Sequence, residues 1–380
     1  MTSKPTWMTE DLRTFRSKVR ELIAQEFVPH LPRWRQQQRP DLESWAVAGR
    51  AGMLLPDVAK AYGGGGRGFE YEAAVREELL DAGVHFGSSV HGITAHYILD
   101  FGSEVQKKSL LPRMARGELI GAIAMTESCA GSDLQGTKTT ARRDGDHYVL
   151  NGSKTFITNG AIAGIICVVV KTDPKAVGPN GMSLVLVETK DLPGFSVGRT
   201  LEKLGRHEQD TCELFFQNVR VPVANLLGGV EGKGFSQLMK QLPYERLSIA
   251  VGAVATMERA VALTTKYVKE RTAFGKPLLE FQNTRFKLAE CKTEAQISRI
   301  YLNDCIQRYL AGQFDAVNAA MAKYWLTECE GRIVDACLQM HGGNGYLTEF
   351  PIARMWADCR AERIYAGSNE IMKEVIGWSL

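Results

Sequence analysis

The hydrophobic pattern of this 380-residue chain changes its period twice, and this change constrains the fold more than any other feature. From Glu10 to about Gly117 apolar residues recur at helical spacing, between proline and glycine breakers. From Gly121 to about Gly229 short β-branched runs alternate with turn residues, and after that the helical period returns in long stretches. The pattern predicts an α+β chain with an N-terminal α-helical domain (1–121), a middle antiparallel β domain (122–230) and a C-terminal helical bundle (231–380).

Local patterns predict individual elements. The apolar run Ala161–Val170 predicts a buried strand, and Asn151-Gly152 between two β-branched segments predicts a hairpin turn. A seam of apolar residues predicts one long helix between Gly275 and Gly312. The glycine run Gly63–Gly66 lacks the lysine and hydroxyl residue of a phosphate-binding loop, which favours a plain loop between helices. The seam residues recur every seven positions: Phe281, Leu288, Ala295, Leu302 and Tyr309.

Charge and composition exclude several classes of function. The chain has 46 Lys and Arg against 43 Asp and Glu, without a long block of like charge, so nucleic acid is a poor candidate partner. No uninterrupted apolar run reaches the length of a membrane span, and the N-terminus has no targeting pattern, which predicts a cytoplasmic protein. The eight cysteines form no close pair and His91 and His96 do not share a helix face, so we assign no metal.

Five motifs carry the functional signal. Together, in this order and spacing, they resemble the acyl-CoA dehydrogenases over essentially the whole chain. The resemblance implies a middle β-barrel, a C-terminal four-helix bundle and a reaction that makes a trans-2-enoyl-CoA by loss of an α proton and transfer of a β hydride to flavin N5. The motifs are AMTESCAGSDLQGT (124–137), NGSKTFITNG (151–160), ERTAFGKPLLEFQ (270–282), QMHGGNGY (339–346) and IYAGSNEIM (364–372).

By this resemblance the cofactor is FAD. Thr126 and Thr158 contact the flavin ring, and Phe156 takes the place of a tryptophan common in the family. Gln339, Gly342 and Gly343 approach FAD from a neighbouring subunit, which implies a homotetramer built as a dimer of dimers. The other positions similar to family FAD-binding residues are Ser132, Arg271, Phe274, Gln282, Ser368 and Glu370.

The catalytic base departs from the common family pattern. Many members carry a glutamate where this chain has Ala366, and a methyl group cannot take a proton. The chain resembles instead the long-chain and isovaleryl branches, whose base lies on the first long C-terminal helix, and the matching residue is Glu245. A buried carboxyl at this position would have the raised pKa that such a base needs. Pro243 upstream would kink the helix close to Glu245.

The same resemblance assigns the substrate contacts. The Ala366 N–H donates to the thioester oxygen, Gly367 lets the thioester lie close, and Arg246 and Ser132 contact the CoA side. The substrate is expected to be a long-chain or methyl-branched acyl-CoA, and an electron-transfer flavoprotein is the expected electron acceptor. Two alternatives stay open: an acyl-CoA oxidase, and an acyl-CoA or flavin binder that lost its base when alanine replaced glutamate at position 366.

Overall fold

Six α-helices form the N-terminal third of the chain. The computed structural model describes residues 7–176 and 178–380. Thr9 accepts a hydrogen bond from the Leu12 N–H at the start of the first helix, and Ser103 forms a capping box with Gln106 at the start of the sixth. The glycine run Gly63–Gly66 lies in the loop before the fourth helix. The helices are α1 (Glu10–Leu22), α2 (Leu31–Gln37), α3 (Leu42–Arg50), α4 (Phe69–Ala82), α5 (Ser88–Phe101) and α6 (Glu104–Ala115).

Seven strands form one sheet in the middle of the chain. Their order is β1-β4-β2-β3-β7-β6, and β5 pairs with β4. The apolar run predicted as a buried strand is confirmed as β4, in which every residue from Ile165 to Val170 is buried. The strands are β1 (Gly121–Ala124), β2 (Thr140–Asp144), β3 (His147–Thr158), β4 (Ile165–Lys171), β5 (Met182–Glu188), β6 (Phe195–Thr200) and β7 (Thr211–Pro222).

The sheet is mixed, so the prediction of a wholly antiparallel β-barrel is only partly right. β1 pairs parallel with β4, and β2 also meets β4 in parallel at one residue pair, whereas the other pairings are antiparallel. Strand patterns in a sequence reveal period and turns but not which strands pair. The parallel pair β1 and β4 is joined through β2 and β3, as a parallel pair requires a long connection.

The predicted hairpin at Asn151-Gly152 is wrong. β3 continues through both residues, and the register against β7 shifts there, as in a β-bulge. Gly152 has a φ of +148°, and a Cβ on it would lie 2.4 Å from the Thr139 hydroxyl. The glycine therefore serves a close approach of the neighbouring strand segment, a role that local sequence does not distinguish from a turn.

Three long helices and two short ones form the C-terminal part. The predicted seam helix is confirmed as α8, but it begins at Gln282 because a two-stranded ribbon and Pro277 precede it. The helices α7, α8 and α9 pack against one another, and α10 and α11 pack on α9. The elements are α7 (Gly234–Glu270), β8 (Thr272–Ala273), β9 (Lys276–Pro277), α8 (Gln282–Leu310), α9 (Ala316–Met340), α10 (Pro351–Cys359) and α11 (Asn369–Gly377).

The 37-residue helix α7 is central to the molecule. It contacts α4 and α5 of the N-terminal part, β5 of the sheet, and α8, α9 and α10. Pro243 lies inside it without ending it. By length and composition α7 could cross a membrane, but 72% of its apolar stretch is buried inside the protein, as expected of a core helix. A side chain at the middle of α7 is therefore held by contacts from all three parts of the chain.

Candidate active site

Glu245 is a buried carboxyl group in the first half of α7. It is 4% exposed, and the Tyr97 hydroxyl on α5 donates a 2.9 Å hydrogen bond to its Oε1 atom. Burial raises the pKa of Glu245 to about 7, and the Tyr97 hydrogen bond and the Arg246 charge oppose a larger rise. A carboxyl with this pKa can take and release a proton near neutral pH, which suits a general base.

Arg246 connects this carboxyl to a loop more than a hundred residues away. The side chain is buried, and its Nε atom donates a 3.4 Å hydrogen bond to the Ala366 carbonyl oxygen. Burial lowers the pKa of Arg246, and the charge of Glu245 opposes this effect. The residue that follows Glu245 in α7 is thus hydrogen-bonded to the loop that the sequence linked to thioester binding.

The loop at Ala366 and Gly367 has an unusual backbone. Ala366 has a φ of +53° and Gly367 a φ of +87°, and a non-glycine residue in this region carries strain that a functional loop often retains. Side chains rarely adopt the φ of Gly367, so another residue there would be strained. Within the described ranges the Ala366 N–H donates to no protein acceptor, which leaves it available to a ligand.

Lys323 on α9 holds the same loop from the other side. Its Nζ atom donates to the Gly367 carbonyl oxygen at 2.9 Å and to the Asn369 side-chain oxygen at 2.8 Å. Burial lowers its pKa to about 8. Sequence reasoning missed this residue. The signal that could have revealed it is a lysine among apolar residues in the segment MAKYW (321–325).

A buried ion pair joins the two motifs predicted to contact the flavin ring. Lys154 donates to the Glu127 carboxylate at 2.8 Å and to the Met125 carbonyl oxygen at 2.9 Å. The Thr155 N–H donates to the Thr126 carbonyl oxygen at 2.9 Å. Burial lowers the pKa of Lys154 to about 8, and hydrogen bonds from Lys154 and Thr139 hold the pKa of Glu127 below its usual value in spite of burial. Sequence reasoning quoted both charged residues inside motifs without pairing them.

Phe156, two residues after Lys154 in β3, is exposed on the surface of the chain. The register of β3 against β7 shifts between Lys154 and Ile157, and Phe156 at this bulge has a φ of +60°. Its side chain is 65% exposed, which is costly for a large apolar group. A bulge re-aims a side chain. The bulge therefore leaves the Phe156 ring accessible to a ligand, and Thr126 and Thr158 are half-buried.

The remaining predicted cofactor residues lie on the surface of the chain. Phe274 is 95% exposed with a φ of +50° in the β8–β9 turn. A Cβ on Gly342 or Gly343 would meet nothing within 4 Å, so the close approach predicted for these glycines does not occur within one chain. Ser368 is the N-cap residue of α11. The others are exposed: Ser132, Arg271, Gln282, Gln339 and Glu370.

These residues fit FAD as a cofactor on structural grounds. An exposed aromatic side chain on a strained backbone suits a flat ring system, and an exposed arginine suits a pyrophosphate. Open glycines at the end of α9 leave space for a group from outside the chain.

Sequence comparison matches all three parts of the chain to one family. Models of acyl-CoA dehydrogenase domains match at residues 9–118 (N-terminal domain), 122–219 (middle domain) and 232–380 (C-terminal domain). The chain is 44% identical to the mitochondrial long-chain specific acyl-CoA dehydrogenase of Sus scrofa, over 95% of this chain and 84% of that protein. It is 35% identical to the mitochondrial isovaleryl-CoA dehydrogenase of Pongo abelii, over 97% and 88% of the two chains.

Comparison with solved structures leads to the same family. An acyl-CoA dehydrogenase from Geobacillus kaustophilus superimposes with a TM-score of 0.96 at 44% identity, over 99% of both chains. A glutaryl-CoA dehydrogenase from Mycobacterium smegmatis in complex with FADH2 gives 0.91 at 29% identity, over 98% of this chain and 94% of that one. The chain belongs to the acyl-CoA dehydrogenase family and is a flavin-dependent oxidoreductase of acyl-CoA thioesters.

We predict that Tyr97 sets the pH range of activity. Tyr97→Phe removes a hydrogen bond that favours the charged form of Glu245, so the pKa of Glu245 should rise above about 7. A base must be deprotonated to act, so the ascending limb of the kcat/KM profile should move to higher pH by about one unit.

The matched control is Tyr148→Phe on β3 of the middle domain, which also removes a hydroxyl that donates to a glutamate, Glu231. Its profile should coincide with that of the unmodified protein. An unchanged profile for Tyr97→Phe would show that Glu245 does not control the ascending limb.

Proposed function

We propose that this protein removes the α proton of an acyl-CoA thioester with Glu245 and uses FAD as the hydride acceptor. The observation that carries the proposal is the buried Glu245 carboxyl, with a pKa of about 7, tied through its neighbour Arg246 to the Ala366 loop. FAD, when bound, supplies the redox chemistry. Residues of this chain remove the proton and orient the thioester.

The proton step uses the free oxygen of Glu245. Tyr97 donates to Oε1, which leaves Oε2 to accept the proton from the α carbon. A base with a pKa near the working pH is about half deprotonated and still basic enough to take the proton. Burial keeps water away from the carboxylate, so its charge is available to the substrate.

The Ala366 N–H is proposed to polarise the thioester oxygen. Its freedom from protein acceptors and its positive φ support this role. Lys323 and Arg246 hold the carbonyl oxygens of Gly367 and Ala366, which fixes the peptide groups of this loop. Negative charge that develops on the thioester oxygen would be met by a donor already in position, without reorganisation.

The proposed FAD site has two parts. Thr126, Phe156 and Thr158 lie along the flavin ring, and the Glu127–Lys154 ion pair fixes the two segments that carry them. Arg271, Phe274, Gln282, Ser368 and Glu370 serve the rest of the cofactor. Ser132 and Arg246 serve the CoA side.

The central experiment tests Glu245. Anaerobic addition of a long-chain acyl-CoA to the flavin-loaded protein should bleach the flavin band. Glu245→Gln should keep its FAD but bleach more slowly by a factor of about 10² to 10⁴, the usual contribution of a positioned base. Glu43→Gln, an exposed change on α3, serves as the control and should bleach normally.

Other outcomes of this titration are informative. A Glu245→Gln protein that bleaches within a few-fold of the unmodified rate would place the base elsewhere. A flavin band that persists with every acyl-CoA tested would favour a non-catalytic binder. Admission of air after bleaching separates the proposed dehydrogenase, which reacts slowly with oxygen and passes electrons to an electron-transfer flavoprotein, from an oxidase.

We propose long-chain or methyl-branched acyl-CoAs as substrates. A methyl group at Ala366 leaves space beside the thioester that a glutamate would fill. The similarity to long-chain and isovaleryl enzymes supports this class. In a panel of straight and branched acyl-CoAs, kcat/KM should be highest for long or methyl-branched chains, and turnover of short straight chains alone would overturn the proposal.

We propose a homotetramer built as a dimer of dimers. Gln339, Gly342 and Gly343 are exposed, and among the described residues nothing lies within 4 Å of a Cβ added to either glycine, which fits a role in a neighbour's FAD site. Light scattering of the flavin-loaded protein should give four times the chain mass, and an active flavin-loaded monomer would contradict the proposal. A cytoplasmic location stays a prediction.

A further inference from the structure

A cavity of about 270 Å³ lies where the three parts of the chain meet. Its walls come from α2, the segment after α4, the Arg206 loop of the middle domain, α7, α9 and α10. None of the candidate active-site residues lines it. Four arginines do: Arg35, Arg206, Arg259 and Arg354.

One of these arginines is neutralised by acidic side chains. Arg206 donates to the Glu362 carboxylate and to the Asp358 carbonyl oxygen, and the Asp358 carboxylate lies 3.2 Å from His85. The third acidic residue of the cavity is Glu330. Burial and the nearby Glu362 carboxylate raise the pKa of Glu330 well above its usual value. Four arginines and three acidic residues therefore line the cavity.

Among the described residues, none of the other three arginines donates a hydrogen bond to a carboxylate. Arg259 donates to the Leu80 carbonyl oxygen at 3.2 Å, and Arg354 donates to the Thr348 carbonyl oxygen. The Arg35 Nε atom forms a 3.7 Å ion pair with Glu208 and donates no hydrogen bond.

These three charges also repel one another. Burial lowers the pKa of Arg259; the Asp81 and Asp358 charges oppose this, and the charges of Arg354 and Arg35 add to it. Burial and Arg35 likewise lower the pKa of Arg354, against the charges of Asp358 and Glu208. Gly83 leaves space for the Arg259 side chain, because a Cβ at this position would lie 2.5 Å from an Arg259 nitrogen. Arginines outnumber the acidic residues that line the cavity, and an excess of positive charge in a cavity is a binding determinant for an anion.

We infer that this cavity binds a small, multiply charged oxyanion, either inorganic phosphate or a di- or tricarboxylate, between Arg35, Arg259 and Arg354. A guanidinium group offers a planar fork of donors that matches carboxylate and phosphate oxygens. The three arginines come from α2, α7 and α10, so a bound anion joins the N-terminal helices to the C-terminal bundle. The Arg206 guanidinium lies 5.3 Å from the centre of the Tyr365 ring, which places the cavity beside the segment that leads to Ala366.

The test measures binding without turnover, so its outcome is independent of the proposed function. The flavin-loaded protein is titrated with sodium phosphate and with sodium citrate at constant ionic strength, balanced with sodium chloride, by calorimetry and by thermal denaturation. At least one of the two anions should bind saturably and raise the melting temperature beyond the chloride reference. The anion that binds shows whether the cavity takes phosphate or a polycarboxylate.

The variant Arg354→Gln should weaken that binding at least tenfold. The matched control is Arg220→Gln, which removes an exposed arginine paired with Asp144 in the middle domain and should bind as the unmodified protein does. If Arg354→Gln does not fold, Arg35→Gln on α2 takes its place. Equal effects of phosphate, citrate and chloride, or equal binding by the cavity variant and the control, would overturn the inference.

Discussion

The burial of one carboxyl group in the first half of α7 is the constraint on which the site depends. Glu245 has a pKa near 7 only because the helix is covered on several sides by other elements. α4 and α5 cover it from the N-terminal part, β5 from the sheet, and α9 from the bundle. A looser contact of any of these would admit water, return the pKa of Glu245 toward that of an ordinary carboxyl and weaken it as a base. The acid-base chemistry is therefore a property of the whole three-part fold.

The move of the carboxylate from position 366 to position 245 changes what the loop must do. Ala366 no longer supplies an acid-base group, so its loop serves through its backbone alone. A backbone donor acts only if its segment is fixed, and here Arg246 and Lys323 bind the carbonyl oxygens of the two peptide groups that follow the donor. Arg246 follows Glu245 directly in α7. One helix thus holds both the proposed base and one of the two groups that position the thioester donor.

The sequence predicted well where local pattern determines structure. The buried strand β4 and the seam of α8 follow from runs of apolar residues, because burial acts on each residue through its neighbours in the chain. The prediction failed where partners are distant. The hydrogen bond from Tyr97 to Glu245 spans 148 residues, and nothing in the surroundings of Tyr97 in the sequence distinguishes it from other core tyrosines. The prediction of a turn at Gly152 failed for a related reason. An Asn-Gly pair fits a turn as well as it fits a bulge, and only the close approach of Thr139 distinguishes the two.

Three buried ionisable groups around the site share one energetic property. The pKa of Glu245 is raised to about 7, so the folded state binds more protons than the unfolded state between about pH 4.5 and 7, and stability from this group is lost as the pH rises through that window. The pKa values of Lys154 and Lys323 are lowered to about 8, so the folded state binds fewer protons than the unfolded state between about pH 8 and 10.5. Below that window the two buried charges lower the stability of the folded state, and this loss of stability is relieved as the pH rises through the window. At neutral pH all three groups therefore oppose folding. Each also has a positional task, as the base or as the clamp on a loop carbonyl, which explains why apolar residues of similar size could not replace them without loss of the site's geometry.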